Sequence, residues 1–176
     1  KQFEKGEYLK KSQSSLTSLK CLREIFYLLK KKRNQRYSLE LNIPDYIPQI
    51  FNGKIDRFVK SKRNLAHQVV EECMLVANIC AANVLLKSSI PSIYRIHPKP
   101  ETTSITQLNS FLRSRSINFK IQPGGNIKDF YKLIKLVSGR KDEEVINLQV
   151  LQSLKLATYS KDIAEHFALA YASYTH

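Results

Sequence analysis

Residues 63–87 constrain this chain more than any other stretch. Ala66, Val69, Val70, Cys73, Met74, Ala77, Ala81, Val84 and Leu85 recur at the spacing of one broad helical face, and Glu71 and Glu72 interrupt the apolar character at its centre. Such a run predicts a long α-helix. It is too apolar for a helix that lies on a surface, so it is expected to pass through a core, with the other elements built around it.

Upstream, Leu16, Leu19, Leu22, Ile25, Phe26 and Leu29 predict an amphipathic helix over 15–33. It ends on Lys30-Lys31-Lys32-Arg33, where positive charge suits the negative end of the helix dipole; phosphate contact is a second use for the same run. Pro44, Pro48 and Gly53 exclude helix across 37–58. Tyr37-Ser38-Leu39-Glu40-Leu41 alternates as a strand does, and residues 47–51 and 54–58 flank Asn52-Gly53, a two-residue hairpin signal. Residues 90–97 read as strand. Thr103 or Ser104 is the expected cap of a helix that buries Ile105, Leu108, Phe111 and Leu112. Residues 117–121 read as a short strand before the Pro123-Gly124-Gly125 turn, and 127–137, 143–156 and 163–174 as three more helices. No repeat or low-complexity linker is visible. The class is α+β, mostly α-helical with a few short antiparallel strands.

Lysine and arginine number 29 against 15 acidic residues, a net charge of +14. That excess attracts polyanions, nucleic acid first and an acidic membrane surface second. The abundance of Lys, Ile, Asn and Ser also fits an AT-rich genome, so charge alone leaves both explanations standing. With 43% hydrophobic residues the chain can bury a core, which excludes wholesale disorder. No apolar run near 18 residues and no secretory leader are apparent, so a cytoplasmic protein without membrane contact is expected. Cys21, Cys73 and Cys80 lack the spacing of a zinc site and are expected as buried free thiols. His67, His97, His166 and His176 are scattered; His67 and His166 sit beside apolar positions and are expected to satisfy buried hydrogen bonds. The chain opens on Lys1 rather than Met and stops at Tyr174-Thr175-His176, so it is read as an internal piece of a longer protein.

Four segments, in order, carry a resemblance. They are Arg63-Asn64-Leu65-Ala66-His67-Gln68-Val69-Val70-Glu71-Glu72-Cys73-Met74-Leu75-Val76-Ala77-Asn78; Pro91-Ser92-Ile93-Tyr94-Arg95-Ile96-His97-Pro98-Lys99-Pro100; Pro123-Gly124-Gly125-Asn126; and Leu154-Lys155-Leu156-Ala157-Thr158-Tyr159 followed by His166-Phe167-Ala168-Leu169-Ala170 and Tyr174-Thr175-His176. Together they resemble the ribonuclease R / ribonuclease II family, nearest its bacterial ribonuclease R branch. The match covers roughly 37–176. It implies the middle portion of an RNB exoribonuclease domain, with 1–36 as a helical lead-in and 37–176 as the central part, truncated at both ends.

The resemblance implies a 3′→5′ exoribonuclease that degrades single-stranded RNA, or structured RNA with a 3′ overhang, processively to nucleoside 5′-monophosphates. The full-length enzyme is expected to be a monomer using Mg²⁺. The family's metal-binding aspartates follow the pattern D-x-x-x-x-x-D-x-D-D, which Asp45, Asp56, Asp129, Asp142 and Asp162 do not form. Its catalytic arginine follows the equivalent of His176. No catalytic or metal-binding residue is therefore expected in this chain. Glu71 matches the glutamate that contacts ribose near the 3′ end; a carboxylate can accept a hydrogen bond from the 2′-hydroxyl that DNA lacks. Pairing with a nearby Arg or Lys is the alternative role. Leu41 occupies the place of an aromatic that stacks on a terminal base, and Tyr37 is the nearby residue able to compensate. Arg63, Asn64, His67, Asn78, Arg95, His97, Tyr159, His166 and Tyr174 are expected as structural motif residues, and Glu72 as structural. The rival readings are a catalytically inactive RNB remnant that at most binds RNA, and a basic DNA-binding protein, which rests on charge alone.

Overall fold

The computed structural model describes residues 13–61, 63–88 and 90–176. Residues 1–12 of the helical lead-in lie outside the described residues. The chain divides into two compact units, one of residues 1–34 and 44–77, the other of 35–43 and 78–176.

In the first unit, helix α1 (Gln13–Gln35) is followed by the strands β1 (Tyr46–Phe51) and β2 (Lys54–Lys60) and by the start of helix α2 (Leu65–Ser88). The hairpin forms as the sequence predicts. Asn52 and Gly53 take φ of 48° and 74°, the left-handed pair that matches the twist of a two-residue turn. Strand pairing runs from Phe51↔Lys54 to Tyr46↔Lys60, and the Ser61 amide donates to the Asp45 carbonyl at 2.7 Å to close the open end. A small core joins Phe26 and Leu22 of α1 to Leu65 and Val69 of α2. The basic end of α1 is partly spent on this unit. Arg33 forms a buried ion pair with Glu72 at 2.7 Å, and Lys30 donates to the Gln68 amide oxygen at 3.1 Å.

The expectation that α2 runs through a core is not met within this chain. Val70, Cys73, Met74, Ala77, Ala81 and Val84 are exposed, and its buried positions are Leu65, Val69, Glu72 and Ala82. A helix apolar on every side needs cover on every side, and the described elements bury it fully at these few points, leaving Leu75, Val76, Ile79 and Leu85 half-buried. The sequence reading also found no membrane-length apolar run. By length and composition alone, α2 is in fact sufficient to cross a bilayer. Polar groups at its middle tie it instead to protein. Glu72 is paired in the first unit; in the second, Asn78 donates to the Tyr174 hydroxyl at 3.5 Å and accepts from the Thr175 hydroxyl at its carbonyl, 2.9 Å away. The three cysteines are free, as expected, but exposed rather than buried. Cys73 and Cys80 share the uncovered surface of α2.

The second unit contains β3 (Tyr94–Ile96), α3 (Thr102–Ser114), α4 (Ile127–Val137), α5 (Glu143–Ser153), β4 (Thr158–Ser160) and a 3₁₀ turn (Phe167–Leu169). Its core joins the inner faces of α3, α4 and α5: Ile105, Leu108 and Leu112; Phe130, Leu133 and Val137; Ile146 and Val150, with Leu39, Ile117, Ile121 and Phe167. Strands β3 and β4 pair antiparallel through Arg95↔Tyr159. The architecture is thus mostly helical with short antiparallel pairs.

Several local expectations are corrected. Residues 37–41 form no strand: Ser38 and Leu39 are buried one after the other, and the Leu39 amide bonds across to the Ala168 carbonyl at 2.8 Å. Residues 117–121 form no strand either. The Asn109 side chain takes the partner's part, accepting from the Ile121 amide and donating to the Ile121 carbonyl, both at 2.9 Å. α3 begins at Thr102 after Glu101, so neither Thr103 nor Ser104 caps it, and α5 stops at Ser153 before Leu156. Residues 163–174 are not helical beyond the 3₁₀ turn. The Phe167 amide bonds to the His97 carbonyl at 2.9 Å and the Ala168 amide to His97 Nδ1 at 3.1 Å. These capture groups a helix would use, and Ala170 at φ 54° turns the chain left-handed.

Candidate nucleic-acid interface

On the second unit, cations lie over aromatic rings in two neighbouring sets. The Arg36 guanidinium sits 4.3 Å from the centre of the Tyr171 ring and donates to its hydroxyl. Lys128 of α4 lies 5.2 Å over Tyr37, which meets Tyr131 edge-on at 5.5 Å; Lys135 lies 5.5 Å over Tyr131. The helical period produces this face. Lys128, Tyr131, Lys132 and Lys135 fall on the side of α4 opposite Phe130, Leu133 and Val137. Asn126 caps the helix by accepting from the Lys128 amide at 2.9 Å. Among the described residues no carboxylate forms an ion pair with any of the three lysines.

Tyr171 also walls a cavity of about 670 Å³, with Lys99, Asn126, Asp129, Glu165 and the Pro123-Gly124-Gly125 turn. Lys99 and Glu165 pair across 3.4 Å. Gly125, at φ 58°, is required here: a Cβ would stand 2.9 Å from Pro100 Cγ and 3.1 Å from Ile105 Cδ1.

In the same unit, His97 and His166 stack at 5.1 Å. His97 Nδ1 accepts from the Ala168 amide, so Nε2 carries the proton and donates to the Lys155 carbonyl at 2.7 Å. Burial holds its pKa below the ordinary 6.5. His166 is pushed down to about 4, first by burial and then by His97 beside it. Both are neutral at pH 7. His97 has both ring nitrogens bonded within the fold. His166 is buried, as expected, and its Nδ1 accepts from the Leu169 amide at 3.4 Å. His67 is not buried: it is exposed at the start of α2, where its amide donates to the Asn64 side chain at 2.9 Å and its Nδ1 accepts from the Asn64 amide at 3.4 Å. This reciprocal pair caps the helix.

The other motif residues have local partners. Arg63 holds the Glu71 carboxylate with two donors, one at 2.9 Å. Arg95 lies 4.7 Å over the Tyr159 ring, and its amide donates to the Tyr174 carbonyl at 2.7 Å. Tyr174 is buried, stacks against Tyr171 and meets His166 edge-on. Of the three expected RNA contacts, Glu71 lies in the first unit and is paired with arginine. Tyr37 and Leu41 lie in the second; Tyr37 joins the cation–aromatic face, whereas Leu41 packs against the core. Sequence reasoning missed Arg36, Lys128, Tyr131 and Tyr171. The available signal was the lysine and tyrosine period within 128–135.

The sequence model of the RNB domain matches residues 2–176. This chain belongs to the RNB domain family. Ribonuclease R of Escherichia coli strain K12 is 36% identical over 163 residues, which are 90% of this chain and 20% of the relative. Ribonuclease R of Vibrio parahaemolyticus is 33% identical over 172 residues, 97% of this chain and 20% of the relative. The RNB chain thus spans about a fifth of the length of these curated relatives. Its fold matches Mycoplasma genitalium RNase R in complex with ribose methylated single-stranded RNA, with a TM-score of 0.90 at 21% identity over 98% of this chain and 27% of that one. It also matches a yeast pseudonuclease, with a TM-score of 0.61 at 17% identity over 90% of this chain and 20% of that one.

Proposed function

We propose that this chain is part of a 3′→5′ exoribonuclease that hydrolyses single-stranded RNA processively and releases nucleoside 5′-monophosphates. The reading includes structured RNA with a 3′ overhang as substrate and a monomeric, cytoplasmic enzyme. The RNB match across residues 2–176 carries it. The identity with ribonuclease R and the net charge of +14 support it.

A two-cation centre needs several carboxylates converging on one point. Among the described residues no group of three or more His, Cys, Asp or Glu side chains could hold a metal ion, and Asp142 is bound to Arg140 at 2.8 Å. This donor set does not fit Mg²⁺. The reading therefore assigns Mg²⁺ and the charge-stabilising arginine to other parts of the protein, and to these residues RNA contact without hydrolysis. Glu71 accepts from a ribose 2′-hydroxyl near the 3′ end, sharing its carboxylate with Arg63. Leu41 gives the terminal base no π-face, and Tyr37 is the aromatic nearest in sequence that remains half-exposed.

The second reading is an RNB protein that binds RNA and does not cut it. The packing of Leu41 into the core favours it, and the match to a pseudonuclease supports the same view. Product analysis separates the two. The full-length protein with Mg²⁺ and single-stranded RNA should yield nucleoside 5′-monophosphates by chromatography. Binding without any product would leave the second reading standing.

A further inference from the structure

Tyr37 has a backbone that suits glycine. Its φ is 62°, a region in which Cβ meets the following carbonyl and which bulky residues avoid. The conformation is imposed from both sides. Arg36 is held on Tyr171. Ser38 and Leu39 are buried, with the Ser38 hydroxyl and the Leu39 amide both donating to the Ala168 carbonyl, at 3.4 and 2.8 Å. A strained residue kept at such a place points to a use for its side chain. That side chain is an aromatic ring, half-buried, with Lys128 over it and Tyr131 against its edge.

Stability explains the tyrosine poorly. The core of this unit closes through Leu39, Leu41 and Phe130 without it. What the ring adds is a flat apolar surface beside Lys128, next to the Tyr131 ring that carries Lys135, and no described carboxylate pairs with either lysine. Aromatic faces flanked by unneutralised cations are what a sequence-tolerant single-stranded nucleic-acid site requires: rings stack on bases while cations meet the phosphates.

We propose that Tyr37 is a base-stacking residue for single-stranded RNA, with Lys128 meeting an adjacent phosphate, and that the protein keeps it there at the expense of backbone strain. The proposal rests on the RNA-degrading reading and adds a defined contact to it. The ring stacks on one base, and Tyr131 holds it edge-on so that it does not swing away.

The test uses the full-length protein and a fluorescein-labelled single-stranded RNA, with EDTA present to prevent cleavage. Anisotropy gives the affinity, and thermal unfolding of each variant gives its stability. Tyr37→Gly should weaken binding roughly tenfold, the loss expected for one stacked base, while its Tm stays level or rises as the strain is relieved. Tyr37→Phe should bind like the parent, since the π-face suffices. Lys128→Gln should weaken binding and flatten its salt dependence. Unchanged affinity in Tyr37→Gly would overturn the proposal, as would a fall in Tm with affinity intact, which marks a structural tyrosine. A parent protein that binds no RNA would overturn the RNA-degrading reading itself, a failure distinct from that of Tyr37 alone.

Discussion

Lowering the pH from 7 to 4 should strip stability from the second unit through His166. Above pH 6.5 the imidazole is neutral in both folded and unfolded chains, and the fold keeps its full stability. Below 6.5 the unfolded chain takes up a proton, while the folded one resists until about pH 4. Stability therefore falls across that window and levels off below it. The gap from 6.5 to about 4, at about 1.36 kcal/mol per pH unit, sets a ceiling of about 3 kcal/mol. Residual solvent access to the ring lowers this to about 2 kcal/mol. Arg95 and the neighbouring His97 both oppose the charge, and His97 adds to the loss in the same direction because burial lowers its pKa too. Urea unfolding at a series of pH values measures the effect, and the imidazole Cε1 proton in NMR reads the titration directly. His166→Asn can keep an acceptor for the Leu169 amide and removes the titration, so it should flatten the slope between pH 6.5 and 4. Equal slopes in parent and variant would refute the reasoning, as would an NMR midpoint near 6.5.

Asn109→Ala should cost about 2–4 kcal/mol in urea unfolding, because it leaves the buried amide and carbonyl of Ile121 without their partner. Glu71→Ala should reduce the preference for RNA over an equivalent DNA strand by roughly tenfold in paired binding measurements, the value of one charged hydrogen bond; an unchanged ratio would confine Glu71 to its pair with Arg63. The 176-residue chain alone should bind a hydrophobic dye and self-associate in sedimentation, given Val70, Met74 and Val84 exposed on α2 and Ile50, Phe51 and Phe58 on the hairpin. A monodisperse monomer with a sharp thermal transition would contradict this.

Elements whose cause is local were legible in the sequence. Asn52-Gly53 sets the hairpin turn, and the apolar period of α4 sets the helix between Ile127 and Val137. Where the cause is a distant partner, local pattern misled. Residues 37–41 alternate like a strand, but what holds them is the Ala168 carbonyl. Residues 163–174 read as helix because alanine and leucine favour one, yet His97 takes the amides of Phe167 and Ala168. β4 escaped notice for the same reason: three residues become a strand only when Arg95 pairs with Tyr159. For α2 the helix was clear and its surroundings were not, since sequence gives apolarity but not the elements that cover it. The candidate site divides likewise. The pairing of Glu71 with a basic neighbour was open to sequence reasoning, with Arg63 two turns away. Arg36 on Tyr171, 135 residues apart, carries no local signal.

Hydrolysis of a 5′-labelled single-stranded RNA, followed in parallel for the full-length protein and for these 176 residues alone, tests the central claim most directly. The account predicts that the full-length protein with Mg²⁺ shortens the RNA progressively from its 3′ end, and that the 176 residues leave it intact. Cleavage by the 176 residues alone, or a full-length protein that never shortens the 3′ end, would contradict it.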